Sequence, residues 1–449
     1  MHRSNSKGRA GLARWWWLIL TLVAVFALVA AVACEEEEEE AEETPAAEET
    51  PAVTPTVGGP LKIGILVAFT GDLSDYGPGI SGGAELAVKE INAAGGVLGQ
   101  DIEIVTGDTG TDPSQGVTEA TRLIQVEGVH AIVGALSSGV TLAVGESVTT
   151  PNNILQISPA STSPALTVAD DNDFLFRTTV SDEAQGVALA ALAEDLELTS
   201  VCTMFINNAY GQGLSEVFAE SFEAAGGTVP AQVPHESEQA TYSSELAECT
   251  AEGPEALAAL AYPESAGLFL REAVEAGDVE TFLFCDGTKA PEMFKELGWD
   301  IFDGAFGTAP GGPTPAGDDF DAAYEAEHGE TPPLPFMRES YDAVYVIALA
   351  AEKAGSTDPT EIRDALRDVS NPPGETVLPG TDGFASAVEL LEAGDDINYE
   401  GAAGSIDFDA NGDVVGTIEV WRVDAASEDL VGDRVLAVDV STGEVTELE

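Results

Sequence analysis

From Leu61 onward the chain alternates short apolar runs with longer stretches whose apolar residues recur every three or four positions. "LKIGILVAF" is apolar at nearly every position and reads as a buried strand. "GISGGAELAVKEINAAGG" has helical spacing and ends at Gly95 and Gly96, residues that terminate helices well. "DIEIVTGD" reads as the next strand. "DPSQGVTEATRLIQVEG" reads as a helix with Asp112 as N-cap and Pro113 at the first helical position. Strand "VHAIVG", a helix over 138–149 and strand "NILQI" follow. This alternation predicts a mostly parallel sheet covered by helices. The pattern restarts at "SVCTMFI" and runs through helix "GLSEVFAESFEAAGG", strand "TVPAQV", helix "YSSELAEC", strand "ALAALAY", helix "ESAGLFLREAVEAG" and strand "TFLFC". A Pro/Gly-rich stretch, a helix over 338–354, a helix capped by Asp358 and a β-rich tail complete the chain. The fold class is α/β, with two doubly wound parallel-sheet lobes and C-terminal material that joins one or both. A length of 449 residues agrees with about two domains.

The residues before Leu61 follow other rules. Arg3, Lys7, Arg9 and Arg14 precede an apolar run from Trp15 to Ala33, the pattern of an export signal or, at this length, of an uncleaved span. "AVAC" resembles a bacterial lipoprotein cleavage site with Cys34 as the lipidated residue, although Ala31 stands where Leu is usual. Residues 1–34 are therefore assigned as signal or lipoprotein segment, and 35–60, a Glu- and Pro-rich tract unable to bury apolar surface, as a linker. Both readings place the protein outside the cytoplasm and tethered to a membrane.

Charge narrows the partners. Eighty acidic residues against 17 basic ones give a formal net charge of −63. Such a surface repels nucleic acid and anionic lipid. It also repels itself unless salt screens it, which points to a salty habitat. With Cys34 in the export segment, Cys202, Cys249 and Cys285 allow one bridge and one leftover thiol. There is no C-x-x-C, and His2, His130, His235 and His328 are scattered, so neither a metal nor a cofactor is expected.

Two doubly wound lobes create a crevice, and ligands of such sheets sit beyond the carboxyl ends of the strands. The segments arriving there are "TGDLSDYG", "GALSSG" and "SPASTSP" from the first lobe, and "NNAYGQG", "YPES" and "DGTKAP" from the second. They carry hydroxyls, tyrosines, glycines and one acid, Asp286, and loops leading into helices offer free N–H groups to a carboxylate. Three motifs invite other readings. "GPGISG" (77–82) matches a dinucleotide fingerprint with Asp101 downstream, but "TGDLSDY" separates it from its strand. "GISGG" places Ser81 in a hydrolase-like G-x-S-x-G, yet inside a helix start and without a placed histidine. "DFDANGD" (407–413) begins like a calcium loop, but Ile418 occupies the twelfth position, so an Asp/Asn-Gly hairpin turn is preferred.

Taken in order, "FTGDLSDYGPGISGGAELAVKEINAAGGVLGQDIE", "DTGTDPSQGV", "IVGALSSGVTLA", "QISPASTSPALT", "FRTTVSDEAQG", "NNAYGQGL", "AYPES" and "DGTKAP" resemble the leucine/isoleucine/valine-binding protein family, type I solute receptors of ABC importers, from about Leu61 to Trp421. The resemblance implies two lobes joined by three crossovers near Arg177–Ser181, Thr308–Pro310 and Gly404–Ile406. Lobe one is then 61–178 and 309–404, and lobe two 179–308 and 405–449. It implies that Ser137 holds a ligand carboxylate by hydroxyl and backbone N–H, and that Ala160 and Thr162 supply backbone and hydroxyl groups to the carboxylate and ammonium. Asp286 stands where the family has a glutamate for the ammonium, and Tyr76, Tyr210 and Tyr262 line the cleft. Ser138, Ser158 and Ser161 are read as shaping their loops.

The family's disulfide between the loops after the second and third strands is absent here, since those positions are Thr111 and Leu136. Cys202 starts a strand and Cys249 ends a helix returning antiparallel, so both fall at the end away from the cleft and are expected to pair, leaving Cys285 free. The resemblance implies a monomeric extracytoplasmic binding protein, not an enzyme, that delivers an amino acid, branched-chain or otherwise hydrophobic, to an ABC permease by hinge closure. The alternatives are a receptor for a short amide or urea, a sensory binding module, and an extracellular hydrolase using Ser81.

Overall fold

The computed structural model describes residues 58–329 and 331–448. The export segment, Cys34 and nearly all of the linker lie outside the described residues. No helix among the described residues is long and apolar enough to cross a membrane.

The first lobe is built on β1 (Lys62–Val67), β2 (Glu103–Asp108), β3 (Ala131–Gly134), β4 (Leu155–Ser158) and β5 (Leu175–Arg177), all parallel, in the order β2-β1-β3-β4-β5. The strands read as continuous apolar runs because both faces of the sheet are covered. On β1, Ile63, Ile65 and Val67 face one layer and Leu66 the other. The Leu66 side is covered by α2 (Pro113–Arg122) and α3 (Ser138–Val144). Asp112 caps α2 by accepting from the Gln115 N–H at 2.8 Å. The opposite layer holds α1 (Gly77–Ala94) and later helices that return to this lobe.

The second lobe runs α4 (Asp182–Asp195), β6 (Val201–Ile206), α5 (Ala209–Ala224), β7 (Gln232–His235), α6 (Ser243–Cys249), β8 (Ala256–Leu260), α7 (Pro263–Ala276), β9 (Thr281–Phe284), α8 (Pro291–Leu297) and β10 (Phe306–Pro310). The chain then crosses back to place α9 (Gly317–His328), α10 (Met337–Ala354), α11 (Pro359–Ser370), β11 (Glu375–Val377), α12 (Thr381–Ala393) and β12 (Ile397–Tyr399) beside the first lobe. The tail, β13 (Thr417–Asp424), β14 (Asp429–Asp439) and β15 (Glu444–Leu448), returns to the second sheet. That sheet has eight strands in the order β15-β14-β13-β10-β9-β8-β6-β7, parallel from β6 to β10 and antiparallel through the tail. The second lobe is thus a mixed sheet rather than a wholly parallel one, because hairpin-linked tail strands pair antiparallel.

The chain passes between sheets after Arg177, after Pro310 and before Thr417. On the third passage residues stay against the first lobe as far as Asp413. Phe408 packs edge-on against Phe176 with centroids 5.1 Å apart, and Asp413 meets Arg177 Nε at 2.7 Å. The "DFDANGD" segment turns tightly there: Asp409 N–H donates to the Asp413 carbonyl, and the Asp409 carboxylate accepts from the Asn411 and Asp413 N–H groups. It is a turn between a loop and the crossing, not the hairpin expected, because no paired strands flank it.

The glycines of "GPGISGG" serve packing. A Cβ on Gly77 would collide with the Ala68 carbonyl, and one on Gly83 with the Met337 carbonyl at the start of α10. Ser81 is buried on α1 and donates to Glu85 at 3.0 Å. Neither a phosphate cradle nor a nucleophile elbow is present at these positions.

In the second lobe Cys202 and Cys249 form a disulfide with Cα atoms 5.6 Å apart, while Cys285 is free and buried.

Candidate functional site

The carboxyl ends of the parallel strands in both sheets converge on one small, nearly closed cavity between the lobes. The first lobe contributes Leu73, Tyr76 and Ile80 after β1, Leu136 and Ser138 after β3, and Ala160 after β4. The second contributes Tyr210, Tyr262, Asp286 and Gly287 after β6, β8 and β9, and Phe336 enters just ahead of α10.

Asp286 is the one carboxylate on this wall, and it is 3% exposed. Its Oδ1 accepts from the Tyr210 hydroxyl at 2.7 Å and from Gln185 Nε2 at 2.8 Å. Burial raises its pKa above the ordinary carboxylate value, and those two hydrogen bonds pull the other way. Behind it, Asp182 opens α4. Burial first, then the charge of Asp286, pushes Asp182 far above the usual range. Tyr210 also donates to Cys285 Sγ at 3.1 Å. Burial, followed by the Asp286 charge, holds that thiol up to about 12, so it stays protonated.

The tyrosines join the lobes as well as lining the space. Tyr76 donates from the first lobe to the carbonyls of Asp286 and Gly287, each at 3.2 Å. Tyr262 donates from the second lobe to the Ser137 hydroxyl at 3.2 Å and stacks on Tyr210 with centroids 5.5 Å apart. Ser163 donates to the Ala209 carbonyl at 2.7 Å.

The "SPASTSP" loop is held from within. Ser158 Oγ donates to the Ala135 carbonyl at 2.7 Å and accepts from the Ala160 and Ser161 N–H groups. Ser161 Oγ shares a 2.7 Å bond with Thr141. The hydroxyl of Thr162 donates to Asp182 Oδ2 at 2.9 Å, and the Asp182 N–H donates to the Thr162 carbonyl at 2.8 Å. Arg177 completes the frame, giving hydrogen bonds to the carbonyls of Thr162 and Ser163 and to Thr167 while pairing with Asp413.

Of the residues singled out in the sequence, Tyr76, Ala160, Tyr210, Tyr262 and Asp286 line the cavity. Ser137 stands beside it under Tyr262, and Thr162 lies behind the loop on Asp182. Ser138, read as a loop-shaping residue, is on the wall itself, although its Oγ also accepts from the Ser163 N–H. Asp182 and Gln185 were not singled out, nor were Leu73, Ile80, Leu136 and Phe336. The available signal for Asp182 was its place after Ser181, an N-cap before an Ala-rich run.

Two hinged α/β lobes closing on a polar-ended, apolar-walled cavity define a solute-binding protein. The chain matches the model of the periplasmic binding protein family over residues 60–388, and it belongs to that family. It is 31% identical over 321 residues to Leu/Ile/Val-binding protein homolog 1 of Brucella abortus, an alignment covering 70% of this chain and 84% of that protein. It is 28% identical over 364 residues to the chemotactic signal transduction system substrate-binding protein BasB of Halobacterium salinarum, covering 79% and 84%. Among solved structures, a leucine-binding protein from Thermotoga maritima superposes with a TM-score of 0.71 at 26% identity, covering 84% of this chain and 99% of that one.

Proposed function

We propose that this chain is the extracytoplasmic receptor of an ABC importer, binding an amino acid with a branched-chain or other hydrophobic side chain and presenting the closed form to its permease. The observation that carries the reading is the polarity of the cavity. One buried carboxylate, Asp286, stands at one side, hydroxyl and backbone groups of the β3 and β4 loops stand at the other, and Leu73, Ile80, Leu136 and Phe336 give the apolar wall.

In this reading the solute ammonium pairs with Asp286. The carboxylate takes hydroxyl and N–H donors from the segment carrying Ser137, Ser138, Ala160 and Thr162. Tyr76, Tyr210 and Tyr262 close over it. Burying both solute charges is tolerable only where each is fully hydrogen-bonded. The lobes move as a hinge at the three passages of the chain between the sheets, and the solute favours the closed form. No bond is made or broken. Cys34 and the acidic linker tether a monomer to the membrane.

The relatives named for leucine, isoleucine and valine support the amino-acid reading. The relative named for chemotactic signal transduction supports a second one, in which the closed form is read by a sensory partner. A thermal-shift screen at molar NaCl with the twenty amino acids, acetamide and urea tests the solute class. Stabilisation by leucine, isoleucine or valine is expected, and stabilisation by the amides alone overturns the reading. Affinity capture from membranes then separates a permease from a sensory partner.

A further inference from the structure

Phe336 borders two spaces. It lines the solute cavity, and it also lines a pocket on the hinge side that opens to solvent, with an empty volume of about 1140 Å³. The second pocket is walled by prolines of the 310–313 and 332–335 segments and holds Lys289, Arg338, Glu339 and Glu419. Both cations there are committed: Lys289 is paired with Glu419, and Arg338 with Asp321 at 2.6 Å. Glu339 is different. It is 6% exposed and makes no ion pair of its own among the described residues; burial pushes its carboxyl up to about 7, against its own backbone N–H and the charges of Arg338 and Lys289. A nearly buried carboxylate thus borders the hinge-side pocket, with Phe336 between that pocket and the solute cavity.

We propose that Phe336 sets the reach of the solute: its ring ends the cavity at the length of a short apolar side chain, and behind it lies a subsite in which Glu339 accepts the cationic end of a longer one. The inference rests on the amino-acid reading. With the ring in place, the ammonium of a lysine-length solute meets an apolar wall and has no partner, a costly burial. With the ring removed, the two spaces join and the charge reaches Glu339.

The backbone makes the variant accessible. Phe336 has φ +75°, in the left-handed region that glycine adopts freely, so Phe336→Gly removes the ring and relieves strain at once.

The test is calorimetry at molar NaCl with L-leucine and L-lysine on wild type, F336G and F336G/E339Q, with melting curves to report folding. Wild type is expected to prefer leucine strongly. F336G is expected to narrow the leucine-to-lysine ratio by about tenfold or more through tighter lysine binding, and E339Q in that background to abolish the gain. F336L, which keeps an apolar wall but shortens it, shifts the ratio less in the same direction and serves if the glycine variant folds poorly. An unchanged ratio in both Phe336 variants, or a lysine gain that survives E339Q, overturns the inference alone. Wild type that binds neither amino acid overturns the amino-acid reading and this inference with it.

Discussion

Thr162 and Asp182 hold each other twice: the threonine hydroxyl donates to Asp182 Oδ2 at 2.9 Å, and the Asp182 N–H donates to the Thr162 carbonyl at 2.8 Å. The pair ties the cleft loop after β4 to the first turn of α4, the helix the chain enters on its first passage between the lobes. Thr162→Val keeps the shape and deletes the hydroxyl, leaving a buried carboxylate short of a donor. Loss of about 1–3 kcal/mol of stability is expected by denaturant titration, together with weaker solute binding. A Thr162→Val protein that loses affinity while keeping its full stability would show that the hydroxyl serves the solute directly and not the loop.

Solute affinity is expected to fall as pH falls. Asp286 has a raised pKa because of burial, opposed by hydrogen bonds from Tyr210 and Gln185, and Asp182, Tyr76, Tyr262 and Cys285 are the other titratable groups around it. A cationic solute binds the ionised carboxylate, so protons compete with it as the pH drops through the raised pKa, above the ordinary value of 3.8. Affinity measured from pH 8 downward should weaken in wild type, and Asp286→Asn should bind weakly with a flat profile. A wild-type profile already flat into the ordinary carboxylate range contradicts the assignment.

Closing the lobes brings acid against acid at the rim. Asp72 and Asp75 of the first lobe share a groove with Glu264, Glu292 and Glu296 of the second, alongside Arg271. Glu238 adds to the charge facing Asp72, and Lys295 is paired with Glu292. Burial first raises both Asp72 and Asp75; at Asp72 the charge of Glu238 adds to it against hydrogen bonds with Ser237 and Glu264, and at Asp75 the charges of Glu292 and Glu296 add to it. Such repulsion is screened within about 3 Å at molar salt. Solute affinity should therefore strengthen from low to molar NaCl, and D72N/D75N should flatten that slope more than two neutralised carboxylates far from the rim, such as E220Q/D319N.

Removing the disulfide should cost stability and spare binding. Cys202 and Cys249 are 47 residues apart in sequence, a loop whose closure restricts the unfolded chain by about 2–4 kcal/mol. The bridge joins the start of β6 to the end of α6, and the cavity lies beyond the other end of β6. C202A/C249A should melt earlier and bind with unchanged affinity once folded.

Periodicity made most strands and helices legible, and the rule that ligands sit beyond strand carboxyl ends brought Tyr76, Ala160, Tyr210, Tyr262 and Asp286 to one place. Other parts were hidden for physical reasons. α4 carries alanine and leucine on most of its faces and is buried on most of them, so it shows no one-sided apolar stripe. The link from Thr162 to Asp182 spans 20 positions and two lobes, and nothing local encodes it. Whether Ser137 or Ser138 reaches the cavity depends on how the turn from β3 into α3 rotates, which hydroxyl chemistry alone does not fix. Phe336 follows a proline-rich stretch without periodicity, and it reaches the cavity only because α10 packs on the first lobe.

The central claim is that Asp286 holds the cationic end of an amino acid between the lobes. Calorimetric titration of wild type and Asp286→Ala with L-leucine at molar NaCl and pH 8 tests it most directly. The account predicts saturable one-to-one binding by wild type and a loss of about a hundredfold or more in the variant, as removing one partner of a buried charge pair costs several kcal/mol. Equal affinity in the two proteins would contradict it.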